Sequence, residues 1–85
     1  MTDRLTYRLK YDAAAQAVHD ALPGPVSELL TRGMAAACED PLRATEPYGH
    51  EDPVMRMVVT ERAFAVVLAG HRLRTITVLH ISHLD

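Results

Sequence analysis

The 85-residue sequence has no tryptophan, one phenylalanine and one cysteine. With Cys38 alone, no disulfide can form within the chain, which argues against a stapled secreted scaffold and fits a reduced cytoplasm. Without large aromatics the core must be assembled from Ala, Val, Leu, Ile and Met, and a domain of this size buries only about 60–65% of its unfolded surface. One thin core, and so a single domain over residues 1–85, is expected. The opening MTDRLTYRLKY lacks the apolar stretch of a signal peptide, and no run approaches the roughly 18 apolar residues of a membrane span. A soluble cytoplasmic protein with no membrane partner is the expectation. An excess of positive charge is also missing. Nine basic against eleven acidic residues give a formal net charge of −2, which is not the footprint of a nonspecific nucleic-acid binder. Any polyanion would have to be met by a local basic patch.

What is present is clear periodicity. In RLTYRLKY, residues 4–11, Leu5, Tyr7, Leu9 and Tyr11 fall on one face of a strand and Thr6, Arg8 and Lys10 on the other. Asp12 offers a side-chain acceptor to the free amides of a first helix, on which Ala14, Ala17, Val18, Ala21 and Leu22 recur at helical spacing. LPGPV breaks the chain, and Pro25 suits the first turn of a second helix. Val26, Leu29, Leu30, Gly33, Met34, Ala37 and Cys38 mark that helix's apolar stripe, which Pro41 ends. The segment 41–53, with three prolines and a glycine, reads as a surface loop. Three apolar runs follow, Val54 to Thr60, Ala63 to Ala69 and Leu73 to Ser82, joined by breaks short enough for hairpins. The order strand, helix, helix, three strands predicts an α+β fold. A helical hairpin covers one face of a small antiparallel sheet, the long last strand takes a central position, and the other face is open.

That order, with the ALPGPV turn, Asp40 and Pro41 ending the second helix, Arg56 in the strand after the loop, and the closing ITVLHISH, resembles the RelE/ParE superfamily of toxins from bacterial type II toxin–antitoxin systems. The resemblance runs nearly the whole length. It implies a small twisted antiparallel sheet with a helical hairpin on one side, and a toxin held in a hetero-oligomer with a cognate antitoxin. It further implies an endoribonuclease acting on mRNA in the ribosome without metal or other cofactor, in which a ribose 2′-hydroxyl attacks the adjacent phosphate. The alternative within the resemblance is a ParE-like inhibitor of DNA gyrase, or a non-catalytic member that binds only its antitoxin. Ala65, where nuclease members often carry an arginine after an aromatic residue, and the acidic balance both favour that alternative.

Candidate site residues follow from strand parity. In VMRMVV, residues 54–59, alternation assigns Met55, Met57 and Val59 to the face beneath the helices and Arg56 to the open side. There its guanidinium would donate a bidentate pair to a phosphate and stabilise the charge of a pentacoordinate transition state; the plainer reading pairs it with Glu61 or Asp52 at the surface. His80 and His83, three apart, face opposite sides of an unbent strand, so only one can join an open-face site as proton carrier. His83 matches the ending of the resembled family. Arg8, Lys10, Arg62 and Arg74 are candidate phosphate-binding residues, with solvated surface as the alternative for each. Glu46 and Glu51 are possible general bases. His50, Glu51 and Asp52 are adjacent in an irregular loop and have no metal-ligand spacing, so no metal site is expected. Cys38 belongs to the core stripe.

Overall fold

The computed structural model describes residues 6–84. Arg4 and Leu5, which open the expected first strand, lie outside the described residues. Strand β1 is Arg8–Tyr11, helix α1 Ala13–Ala21, helix α2 Gly24–Glu39, helix α3 Pro41–Ala44, and strands β2 Glu46–Pro47, β3 Met55–Val59, β4 Ala63–Gly70 and β5 Thr75–His83 follow. The five strands form one sheet in the order β1-β5-β4-β3-β2. Strands β3, β4 and β5 are the expected antiparallel meander; β5 is an interior strand between β1 and β4, and the middle position expected for it is taken by β4. The pairing of β5 with β1 is parallel, with Leu9 opposite Ile76 and Tyr11 opposite Val78. The helical hairpin between β1 and the meander carries the chain across the sheet before β5 returns in the same direction as β1, which makes that one pair parallel.

The helices cover one face. Asp12 caps α1 through its carboxylate, which accepts from the Ala14 amide at 3.1 Å. On α1 the buried residue is Ala15, with Val18 half-buried, while Ala14, Ala17 and Ala21 are exposed. In a run of alanines the packed face is set by Val18 and Leu22, and spacing alone did not place it. On α2, Val26, Leu30, Met34 and Ala37 are buried as expected, whereas Leu29 stands 39% exposed at the edge of the stripe. Gly33 lets α2 approach β3 closely: a Cβ there would lie 2.7 Å from Cγ1 of Val58. These residues close over Val58, Ala65, Val67, Ile76 and Val78 in one core.

The expected loop after α2 is partly ordered structure. Pro41 opens the short α3, where its missing amide costs nothing, and Glu46 and Pro47 pair with Met57 and Arg56 as an edge strand. Pro47 is tolerated because an edge strand leaves one side without partners.

Candidate functional site

Register and burial together identify which side chains line the open face. Val58, Ala65 and Ile81 are paired across three strands and are at most 3% exposed, so their side faces the helices. Arg56 has the same parity as Val58. It therefore faces the helix side, the reverse of the expected orientation, and Met55, Met57 and Val59 take the open side. Arg56 is 4% exposed, and its donors are spent on the segment before β3. Nε donates to Oγ1 of Thr45 at 2.9 Å. One terminal nitrogen donates to the carbonyls of Thr45 at 2.9 Å and Leu42 at 3.2 Å. The other donates to the Asp52 carbonyl at 3.3 Å and to Glu51 at 3.4 Å. Thr45 itself donates to the Pro41 carbonyl. The phosphate role expected of Arg56 is thus corrected: a guanidinium enclosed by carbonyls organises the α3–β2 turn and has no face to offer a ligand. The expected surface partner Glu61 is not among its contacts, and Asp52 meets it through the backbone only.

Ala65 also lies on the helix side, fully buried between Val58 and Ile81. An arginine at this position would point into the core, so Ala65 carries no information about the open face. The open-face residues of β4 are Phe64, Val66, Leu68 and Gly70, and none is basic.

The last strand contains the feature that assembles the remaining candidates. Ile76 and Val78 are buried, as is Ile81, an odd number of residues further on, because the register with β4 shifts between Val66 and Val67 and leaves Leu79 as an extra residue. A bulge of one residue reverses the alternation beyond it. Thr75 and Thr77 before the bulge and His80 and Ser82 after it consequently share the open face. Arg8 and Lys10, opposite Thr75 and Thr77 on β1, share it as well. Lys10 and His80 project from Cα positions about 10 Å apart by strand spacing and rise, a gap that two long side chains and one phosphate can fill. Both are exposed, as is Arg8. His80 Nε2 lies 2.9 Å from Oγ of Ser82, which fixes the ring, and its Nδ1 has no protein partner among the described residues.

The other candidates separate from this group. His83 pairs with Ala63 and has helix-side parity, so it is away from His80 and Lys10. Arg62 lies in the turn between β3 and β4 and Arg74 in the turn between β4 and β5, at opposite ends of the eight-residue β4, a span of about 27 Å. One phosphate cannot meet both. Arg74 adopts φ 56° and its carbonyl accepts from the Arg8 amide at 2.8 Å. Glu46 is on the open face with Met57, but three strand spacings from His80, about 14 Å. Glu51 is at the Arg56 contact. Neither glutamate is positioned to share a reaction with His80. No group of three or more His, Cys, Asp or Glu among the described residues is placed to hold a metal ion.

The bulge had no distinct sequence signal: Val78 and Leu79 are adjacent apolar residues, but so are Val58 and Val59 in β3 and Val66 and Val67 in β4, where no extra residue is present. The role of Thr45 had no sequence signal, because only the burial of Arg56 makes that hydroxyl important.

No protein-family model and no curated sequence matches the chain. Solved structures do match. A chain of the RelBE2 toxin–antitoxin complex from Mycobacterium tuberculosis superposes with a TM-score of 0.78 at 14% identity, covering 98% of this chain and 97% of that one. The isolated RelE toxin of E. coli gives 0.77 at 18% identity, covering 93% and 85%. A chain of the intact E. coli RelBE complex gives 0.76 at 18%, covering 93% and 98%. Over nearly its whole length the chain therefore has the fold of the RelE toxin structures.

Proposed function

We propose that the chain is the toxin of a toxin–antitoxin pair and cleaves RNA at the open face of its sheet. The observation that carries this is the convergence of Arg8, Lys10 and His80 on that face, brought about by the bulge at Leu79 in a chain with the RelE fold. Lys10, about 10 Å from His80, and Arg8, one turn of the pleat further along the same strand face, supply positive charge near an imidazole with an accessible nitrogen, a combination that metal-free phosphodiester cleavage can use. With Nε2–H donating to Ser82, the lone pair on Nδ1 of His80 accepts the proton of a ribose 2′-hydroxyl. The 2′ oxygen bonds to phosphorus, and Lys10 and Arg8 stabilise the added negative charge on the phosphoryl oxygens. The bond to the 5′ oxygen breaks, and the proton passes from the imidazolium to that oxygen. The products are a 2′,3′-cyclic phosphate and a 5′-hydroxyl end. In this reading the chemistry acts on mRNA in the ribosome, with a cognate antitoxin as the resting partner in a cytoplasmic hetero-oligomer, and the likeness to the RelE toxin structures supports it.

The second reading is a non-catalytic binder, either of gyrase or of the antitoxin alone. It is favoured by the open face of β3 and β4, where Met55, Met57, Phe64, Val66 and Leu68 stand without a cation. Primer extension on transcripts after brief induction separates the two. The nuclease reading expects new 5′ ends that vanish in His80→Ala and weaken in Lys10→Ala. Growth arrest with uncut transcripts and broken DNA would establish the gyrase version instead.

A further inference from the structure

A second cluster of reactive side chains lies on the opposite side of the sheet from His80. Tyr11 has the helix-side parity of β1, since Arg8 and Lys10 take the open face, and its hydroxyl lies 2.7 Å from Nδ1 of His19 on α1. Nε2 of the same ring lies 3.2 Å from Oγ1 of Thr31 on α2, 12 residues further along the chain. One half-buried imidazole thus joins a phenol and an aliphatic hydroxyl contributed by three separate elements. The break at Pro23 turns α2 back along α1 and brings the two helix residues together. Thr31 is exposed, and its neighbours one turn away on α2 are Ser27 and Ala35, small enough to leave the hydroxyl open to a ligand.

We infer that Thr31 is a nucleophile that accepts an acyl group from an activated thioester, with His19 as its base and Tyr11 as the residue that positions the ring. Tyr11 accepts from Nδ1–H, which leaves the lone pair of Nε2 facing the Thr31 hydroxyl. A hydroxyl, a base and a third group that orients the base are the parts an activated nucleophile needs. Oγ1 bonds to the carbonyl carbon, the C–S bond breaks, and the hydroxyl proton passes to Nε2 and from there to the departing sulfur. The products are an acyl ester on Thr31 and a free thiol. His19 stands in the last turn of α1, whose carbonyl end suits a ring that takes up a proton. Electrostatics select the class of donor. Asp20 follows His19, and Arg32 beside Thr31 is paired with Glu28 at 3.6 Å. A multiply charged phosphoryl donor would meet two carboxylates and a cation already engaged, whereas an acyl carbon carries no charge to be repelled. The amides around Thr31 are held inside α2 and offer no oxyanion donors, so only an activated acyl donor reacts, and the ester accumulates.

The probe is phenyl thioacetate, incubated with the purified full chain and followed by intact mass, with fragment masses locating the acetyl group. Acetylation at Thr31 is expected, lost in Thr31→Val and retained in Thr31→Ser. His19→Gln, which keeps hydrogen-bonding groups but not the base, should slow it about a hundredfold. Added imidazole should restore part of the rate in His19→Ala, with circular dichroism reporting the fold of each variant. The unaltered chain gives a test that needs no substitution: nitrogen-resolved NMR should find the proton of the neutral His19 ring on Nδ1, and Tyr11→Phe should move it toward Nε2. A proton on Nε2 in the unaltered chain, donated to Thr31, would overturn the inference and make the three side chains a structural clamp. Acetyl found only on Cys38, Lys10 or the terminal amine would overturn it too, as would undiminished labelling of Thr31 in folded His19→Gln. Neither ribosome nor RNA enters the assay, so its outcome is separate from that of the nuclease reading.

Discussion

Arg56 shows how a single side chain can be located correctly in a strand and still be given the wrong side. The alternation in VMRMVV has a period but no sign: valines lie on Arg56's face and methionines on the other, and both faces are apolar enough to be the core. The sheet resolves this by burying Val58 under Gly33 and carrying Arg56 with it. Its buried hydrogen bonds to Thr45 and half-buried ones to the Leu42 and Asp52 carbonyls hold the α3–β2 turn. Removing it leaves several enclosed carbonyls without a donor, so Arg56→Ala is expected to lower the unfolding free energy by about 3–5 kcal/mol in urea titration. Glu51, its exposed ion-pair partner with a side chain 84% accessible, contributes little, and Glu51→Ala should cost less than about 1 kcal/mol. A loss of activity in Arg56→Ala is therefore a loss of folded protein. Equal stability of the two variants would show that the buried contacts do not matter.

At the scale of elements, long periodic segments were readable and short ones were not. The stripe on α2 and the three-strand meander follow directly from spacing. By contrast α3 and β2, at four and two residues, carry too few positions for a period, and their order comes from Arg56. The bulge at Leu79 is the element-level feature on which the candidate site depends, since it alone puts His80 on the side of Lys10. The approach of α2 to β3 gives a test of packing. A Cβ at Gly33 would sit 2.7 Å from the Val58 side chain, so Gly33→Ala should destabilise by about 1–3 kcal/mol even though alanine favours a helix. In a double-mutant cycle, combining it with Val58→Ala should recover part of that loss, because the second change removes the clash. Simple additivity of the two would contradict the close contact.

For the whole molecule, the net charge of −2 is not divided by face. Arg8 and Lys10 stand at the β1 edge of the open face, while Asp20, Glu28, Glu39 and Asp40 share the helices and their ends with Arg32 and Arg43. No helix among the described residues is long and apolar enough to cross a membrane. Global stability should also report two half-buried acids. Burial pushes the Cys38 thiol up, and burial together with Asp20 and Cys38 pushes the Tyr11 hydroxyl up. Tyr11 also lies 2.7 Å from Nδ1 of His19. Both groups keep their protons longer in the folded chain than in the unfolded one. Their stabilising contribution is complete below the unfolded value and is lost as pH rises toward the folded one, so stability falls from about pH 8.5 upward, first through Cys38 and then through Tyr11. Urea midpoints measured from neutral to alkaline pH should show this, and Cys38→Ala should delay the onset to about pH 10. An unchanged onset would contradict the assignment to Cys38.

The central claim is that the acting group is His80 on the open face. Cleavage of mRNA on programmed ribosomes by purified chain, with the melting temperature of each variant measured in parallel, tests it most directly. His80→Ala is expected to melt like the parent and to cut at least about a hundredfold more slowly, the scale of a lost acid–base group. His83→Ala, on the opposite side of the strand, should cut at the parental rate. Parental cleavage by folded His80→Ala, or loss of cleavage in folded His83→Ala instead, would contradict the account.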